Sequence, residues 1–120
     1  MELKDQVLEI RKRILGPDDP DTLTTMSNLA DSYRIIGREQ EALKLNQQAL
    51  EMQKRVQGNE YPDTLYSIRI QLLILLDLGM TEQLRALLQV ALSAHEKVLG
   101  MNHPYKLWLR EEFRTELALL

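Results

Sequence analysis

Cysteine is absent from the 120 residues, which excludes a disulfide framework and a zinc–thiolate site and makes a reducing compartment, the cytoplasm, the expected setting. Histidine is scarce as well. The two that occur, His95 and His103, have no His-x-x-x-His spacing, so no metal is expected. The longest unbroken apolar run, Leu72-Leu73-Ile74-Leu75-Leu76, is far too short to span a bilayer, and the opening Met1-Glu2-Leu3-Lys4-Asp5 carries no apolar signal core. A basic stripe is missing too: 15 Lys and Arg are interleaved with 18 Asp and Glu, for a net charge of −3, so neither nucleic acid nor membrane is an expected partner. No serine sits in a nucleophile elbow and no glycine-rich loop could cradle a phosphate. The acidic run Asp18-Asp19-Pro20-Asp21 lacks the alternating ligands and terminal glutamate of a calcium loop, and reads as a turn and helix cap. Catalysis and a cofactor are therefore not expected.

What the chain does contain is a grid. Gly16, Gly58 and Gly100 are spaced 42 residues apart, and each is followed four residues later by Pro20, Pro62 or Pro104. Apolar residues keep the same register at Leu8/Leu50/Leu92, Ile14/Val56/Val98, Leu23/Leu65/Leu107 and Tyr33/Leu75/Leu117, while Lys12-Arg13, Lys54-Arg55 and Glu96-Lys97 stay charged. Repetition of this length marks a stacked array, whose usual output is a binding surface.

Between the grid marks the periodicity is helical. Ala42, Leu45, Ala49, Met52 and Val56 form one amphipathic stripe, which recurs as Leu3, Val7, Ile10, Ile14 and as Leu84, Leu87, Ala91, Ala94, Val98. The other helix of each unit starts at a grid proline, favoured in a first turn where its missing N–H has no partner, with Asp19 placed to cap the first of them. Gly37 and Gly79 follow these helices, as left-handed terminators do. The reading is six helices over 2–15, 20–36, 39–57, 62–78, 81–99 and 104–119, with short connections that make neighbours antiparallel. As units, it is a single repeat domain over 1–120: a half unit 1–19, whole units 20–61 and 62–103, and a half unit 104–120.

The segment from Leu8 to Leu23, followed by Ser27-Asn28-Leu29-Ala30 and Glu41-Ala42-Leu43, resembles the kinesin-light-chain-like class of tetratricopeptide repeats, whose unit is a 42-residue helix-turn-helix rather than the ordinary 34. The resemblance covers the whole chain. It implies an all-α, right-handed superhelical solenoid of antiparallel helix pairs in which the helices starting at the prolines line the concave side. It also implies a protein-interaction module. This chain departs from the family where Asn46 and Leu88 replace an aromatic and Gln71 replaces a leucine. Asn28 matches a family asparagine that contacts bound peptide backbone, but its repeat equivalents are Ile70 and Glu112.

On that arrangement the concave groove is expected to take a peptide or helix of a partner protein. The helix over 62–78 carries a packing stripe, Leu65, Ile68, Leu72 and Leu75, and a second apolar set, Tyr66, Ile70, Leu73 and Leu76. The second set is either core shared with neighbouring helices or an exposed groove floor. The expected contacts are Asn28, Asp31, Arg34, Tyr66, Arg69, Ile70, Leu73, Trp108 and Glu112, an apolar centre with a polar rim. Trp108 reads equally as a binding anchor or as core between the last two units. The alternative to a binding module is a structural or self-associating segment of a longer array. The helix from Pro104 has more apolar residues than one buried stripe uses, so a homodimer through Phe113 and Leu117 is a further expectation.

Overall fold

Pro20, Pro62 and Pro104 each open a helix in the structure, a computed structural model that describes residues 2–99 and 104–118. Gly100 and His103 lie outside the described residues, as do the side chains of His95 and Leu117. The chain runs α1 (Glu2–Ile14), α2 (Pro20–Ile35), α3 (Glu39–Val56), α4 (Pro62–Leu78), α5 (Thr81–Leu99), α6 (Pro104–Glu112) and α7 (Arg114–Ala118), with no strand among the described residues. The first five fall within one residue of their expected bounds. The sixth expected helix is interrupted at Phe113, whose side chain is wholly buried and whose N–H still donates to the Leu109 carbonyl at 3.0 Å, so the break is one residue wide.

Local chemistry explains the starts and stops. Asp19 caps α2 by accepting the Asp21 N–H at 2.9 Å, whereas Tyr61, at the same register before α4, makes no side-chain cap; such a bond contributes about 1 kcal/mol. Both helices end alike. The Arg38 N–H reaches back to the Tyr33 carbonyl at 2.8 Å, and the Met80 N–H to that of Leu75 at 3.0 Å, each around a glycine with positive φ, +88° at Gly37 and +69° at Gly79. A Cβ at either glycine would meet nothing within 4 Å, so the dihedral angle rather than crowding demands glycine there.

From α1 to α6 each helix packs antiparallel on the next, and α2 also packs directly on α4. By contrast, among the described residues α1, α3 and α5 do not approach one another within 8 Å between Cα atoms, and neither do α4 and α6. Helices inside a curved stack are drawn together while those outside it splay apart, so α2 and α4 lie on the concave side. The molecule measures 43 × 29 × 21 Å, elongated along the stack.

Apolar burial forms two clusters. One joins Leu8 of α1, Leu23, Met26 and Leu29 of α2 and Ala49 of α3; the larger runs from Ala30 through α3, α4 and α5 to Leu109 and Phe113. A polar seam crosses the second. Asn46 of α3 donates from Nδ2 to Gln71 Oε1 at 2.8 Å and to the Ser67 carbonyl at 3.0 Å, and the hydroxyls of Ser27 and Ser67 meet at 2.6 Å, all of it buried. Two of the three departures from the family pattern, Asn46 and Gln71, therefore face each other. One period later the same two registers are Leu88 and Phe113, both wholly buried in the apolar cluster.

Candidate functional site

The concave side is built from α2 and α4, with α6 following in register. Tyr66, half-buried on α4, donates its hydroxyl to Asn28 Oδ1 on α2 at 2.6 Å. Its pKa is raised above the ordinary tyrosine value by burial first and by the negative charge of Asp31 second, against a smaller opposing effect of Arg69. One turn along α4, the Arg69 guanidinium carbon sits 5.6 Å from the Tyr66 ring centroid and 5.6 Å from that of Trp108 on α6. Trp108 is steadied in turn by Phe113, edge to face, with centroids 5.9 Å apart and planes at 84°. The result is a line of polar and aromatic groups, Asn28–Tyr66–Arg69–Trp108, crossing three repeat units.

Beside this line Arg34 holds Asp31 with two hydrogen bonds, at 3.1 Å from Nε and 3.0 Å from Nη2, and reaches Asp77 of α4 at 3.4 Å. Asp77 was not among the expected residues. An acid in the last turn of a helix opposes the macrodipole, so an isolated Asp77 in an otherwise apolar run was itself a sign of a cationic neighbour.

Of the nine expected contacts, four meet in the aromatic line and Asp31 and Arg34 join beside it. Leu73 is half-buried against the core, and Glu112 is exposed. Ile70 requires a correction. It is wholly buried in the cluster that includes Ala30 of α2, because α2 packs on α4 and covers that face, so Ile70 is core rather than groove floor. Phe113 is likewise wholly buried, as the pedestal of Trp108, and offers no surface for self-association. A depression of about 540 Å³ involving Gln47, Glu51, Lys54, Gln83 and Leu87 lies toward the outer helices α3 and α5 and contains none of the nine. Among the described residues no helix is long and apolar enough to cross a membrane, and no cluster of His, Cys, Asp and Glu could hold a metal ion.

The sequence model of the tetratricopeptide repeat family matches residues 2–66, more than half of the chain. The chain belongs to the tetratricopeptide repeat family. Among solved structures, it is similar to a kinesin-light-chain-type protein of Podosopora anserina built of nearly identical TPR-like repeats: TM-score 0.89, 27% identity, covering 96% of this chain and 55% of that one. A variant of the same protein matches with the same TM-score and identity and 54% coverage of its own length. The chain thus spans little more than half the length of these solved tetratricopeptide arrays. No protein of curated function matches it. Tetratricopeptide repeats are scaffolds for protein interaction, and the helical solenoid described above is of that kind.

Proposed function

We propose that the concave face binds a segment of a partner protein, extended or helical, along the line from Asn28 through Tyr66 and Arg69 to Trp108, without catalysis. The observation that carries this reading is the state of Arg69. Its guanidinium lies near two aromatic rings, its Nε is buried without a hydrogen-bond partner, and no acid pairs with it among the described residues. A cation oriented by rings but left without an anion is free to take a carboxylate or carbonyl of a bound segment. Tyr66 and Trp108 supply the aromatic area from which binding hot spots are made, and Asn28, Asp31 and Arg34 supply the polar rim.

Trp108 is the single tryptophan of the chain, so its fluorescence reports on the groove directly. Peptides selected from a random display library on the native chain should shift Trp108 emission when titrated. Arg69→Ala or Tyr66→Ala should weaken them roughly thirtyfold, about 2 kcal/mol, with the helical circular-dichroism signal unchanged. Peptides that bind native chain and Arg69→Ala equally well, with no change in Trp108 emission, would refute the reading.

A further inference from the structure

The outer helices splay apart twice, and the two gaps between them are filled differently. Between α1 and α3, over α2, the gap is closed from within. Tyr33 is half-buried there and packs with Leu45 on the cluster that holds Leu8. Its hydroxyl donates to Asp5 of α1 at 2.8 Å, and the Arg38 guanidinium carbon lies 4.6 Å from its ring centroid. Arg38 in turn pairs with Glu41. One period later, between α3 and α5 over α4, the Tyr33 register is Leu75. The depression of about 540 Å³ lies in that gap, and among the described residues no aromatic side chain lines it.

The second gap keeps the apolar walls of the first and changes its polar groups. Leu50 and Leu87 line it at the registers of Leu8 and Leu45. Asp5 becomes Gln47, Glu41 becomes Gln83 and Arg38 becomes Met80, so two acids and a cation give way to neutral groups. An amide at the Asp5 register still accepts a hydrogen bond from a hydroxyl. Gln71 adds a donor at the floor, because its Oε1 is taken by Asn46 while its Nε2 makes no hydrogen bond among the described residues. At the rim, Glu51 and Lys54 form no ion pair among the described residues, which leaves one charge of each sign for the flanks of an entering segment.

We propose that this outer depression seats the neutral phenol ring of a tyrosine from a partner protein, entering from solvent where Tyr33 enters from α2. The ring lies on Leu50, Leu75 and Leu87, and its hydroxyl meets the Gln47 amide as that of Tyr33 meets Asp5. Tyrosine suits such a place because it joins an apolar body to a polar tip. Loss of the Arg38 and Asp5 charges from these registers favours an uncharged ring over a phosphorylated one. The seat shares no residue with the concave line from Asn28 to Trp108, so it is a second interaction site on the opposite side of the stack.

The probe is N-acetyl-tyrosinamide, titrated into the full native chain and followed by NMR at leucine methyls and glutamine amides. Leu50, Leu87 and Gln47 should shift saturably, and N-acetyl-phenylalaninamide should bind about fivefold more weakly for want of one hydrogen bond. Gln47→Ala, at an exposed position, should remove that preference with the helical circular-dichroism signal unchanged. Leu75→Tyr should close the seat from within and abolish the shifts, whereas Tyr33→Leu should open a second seat reported by Leu8 and Leu45. Arg69→Ala should bind the probe as the native chain does. No saturable shift at Leu50 and Leu87, or equal binding of the two probes by the native chain, would overturn the proposal. So would p-cresol binding about tenfold more tightly than a tyrosine-centred pentapeptide, which would assign the seat to a free phenol. A dimer at about 100 μM that Tyr61→Ala dissociates would overturn it in favour of a second copy, whose Tyr61 is 47% exposed.

Discussion

Two consecutive repeat boundaries in this molecule share a register and have opposite chemistry. Where α3 meets α4, Asn46 and Gln71 are joined by a buried hydrogen bond of 2.8 Å; one period later, where α5 meets the last half unit, Leu88 and Phe113 are buried in the apolar cluster. The substitutions come as a pair. A polar residue at either register alone would leave a buried donor or acceptor unmatched, which costs about 1–3 kcal/mol, whereas changing both together avoids that penalty. The polar boundary is also the less well satisfied of the two, because Asn46 Oδ1 has no partner. Its hydrogen bonds are directional, and they fix the rotation of α4, which carries Tyr66 and Arg69 on its concave side. The apolar boundary fills volume and supports Trp108 through Phe113.

Breaking the apolar boundary should have the largest effect. Phe113→Ala empties a wholly buried site and should cost about 3–5 kcal/mol in urea denaturation, with Trp108 emission shifting toward that of solvent. Unchanged stability would mean that the last half unit is not integrated with the stack. Breaking the polar boundary on one side comes next. Asn46→Leu strands the Gln71 side-chain oxygen and should cost about 1–3 kcal/mol, measured by the same denaturation.

The smallest effect belongs to the boundary between α1 and α2. There Tyr33, at the register of buried Leu75, donates its hydroxyl to Asp5 at 2.8 Å. That bond first, then desolvation and the Asp5 charge, raise the Tyr33 pKa above 10.0. The folded state therefore holds the phenolic proton more tightly than the unfolded state. The resulting stabilisation is complete below pH 10.0 and declines as pH rises through the higher folded value. Tyr33→Phe should flatten part of the alkaline decline in melting temperature, and an identical pH profile in the variant would contradict this.

The fold was legible because its signals are local and repeated. Proline and glycine on a fixed grid set the helix bounds, and the spacing of Ala42, Leu45, Ala49 and Met52 set one buried stripe. Residues such as Tyr66, Arg69 and Trp108 could be placed on the proline-initiated helices by register, and those helices on the concave side by the family resemblance. What register could not supply was cover. Ile70 and Asn28 occupy the same position, yet one lies under a neighbouring helix and the other at an open end. The pairing of Asn46 with Gln71 was hidden for a related reason. Each was visible as a departure from the family pattern, but they are 25 residues apart and meet only because α3 packs on α4.

A double-mutant cycle on Asn46 and Gln71 tests most directly the claim that the two boundaries are alternative solutions at one register. Asn46→Leu and Gln71→Leu should each destabilise, and the double variant should return to within about 1 kcal/mol of the native chain or exceed it, a coupling of about 1–3 kcal/mol. Additive losses in the double variant would contradict the account, because they would mean that the apolar chemistry of the second boundary does not fit the first.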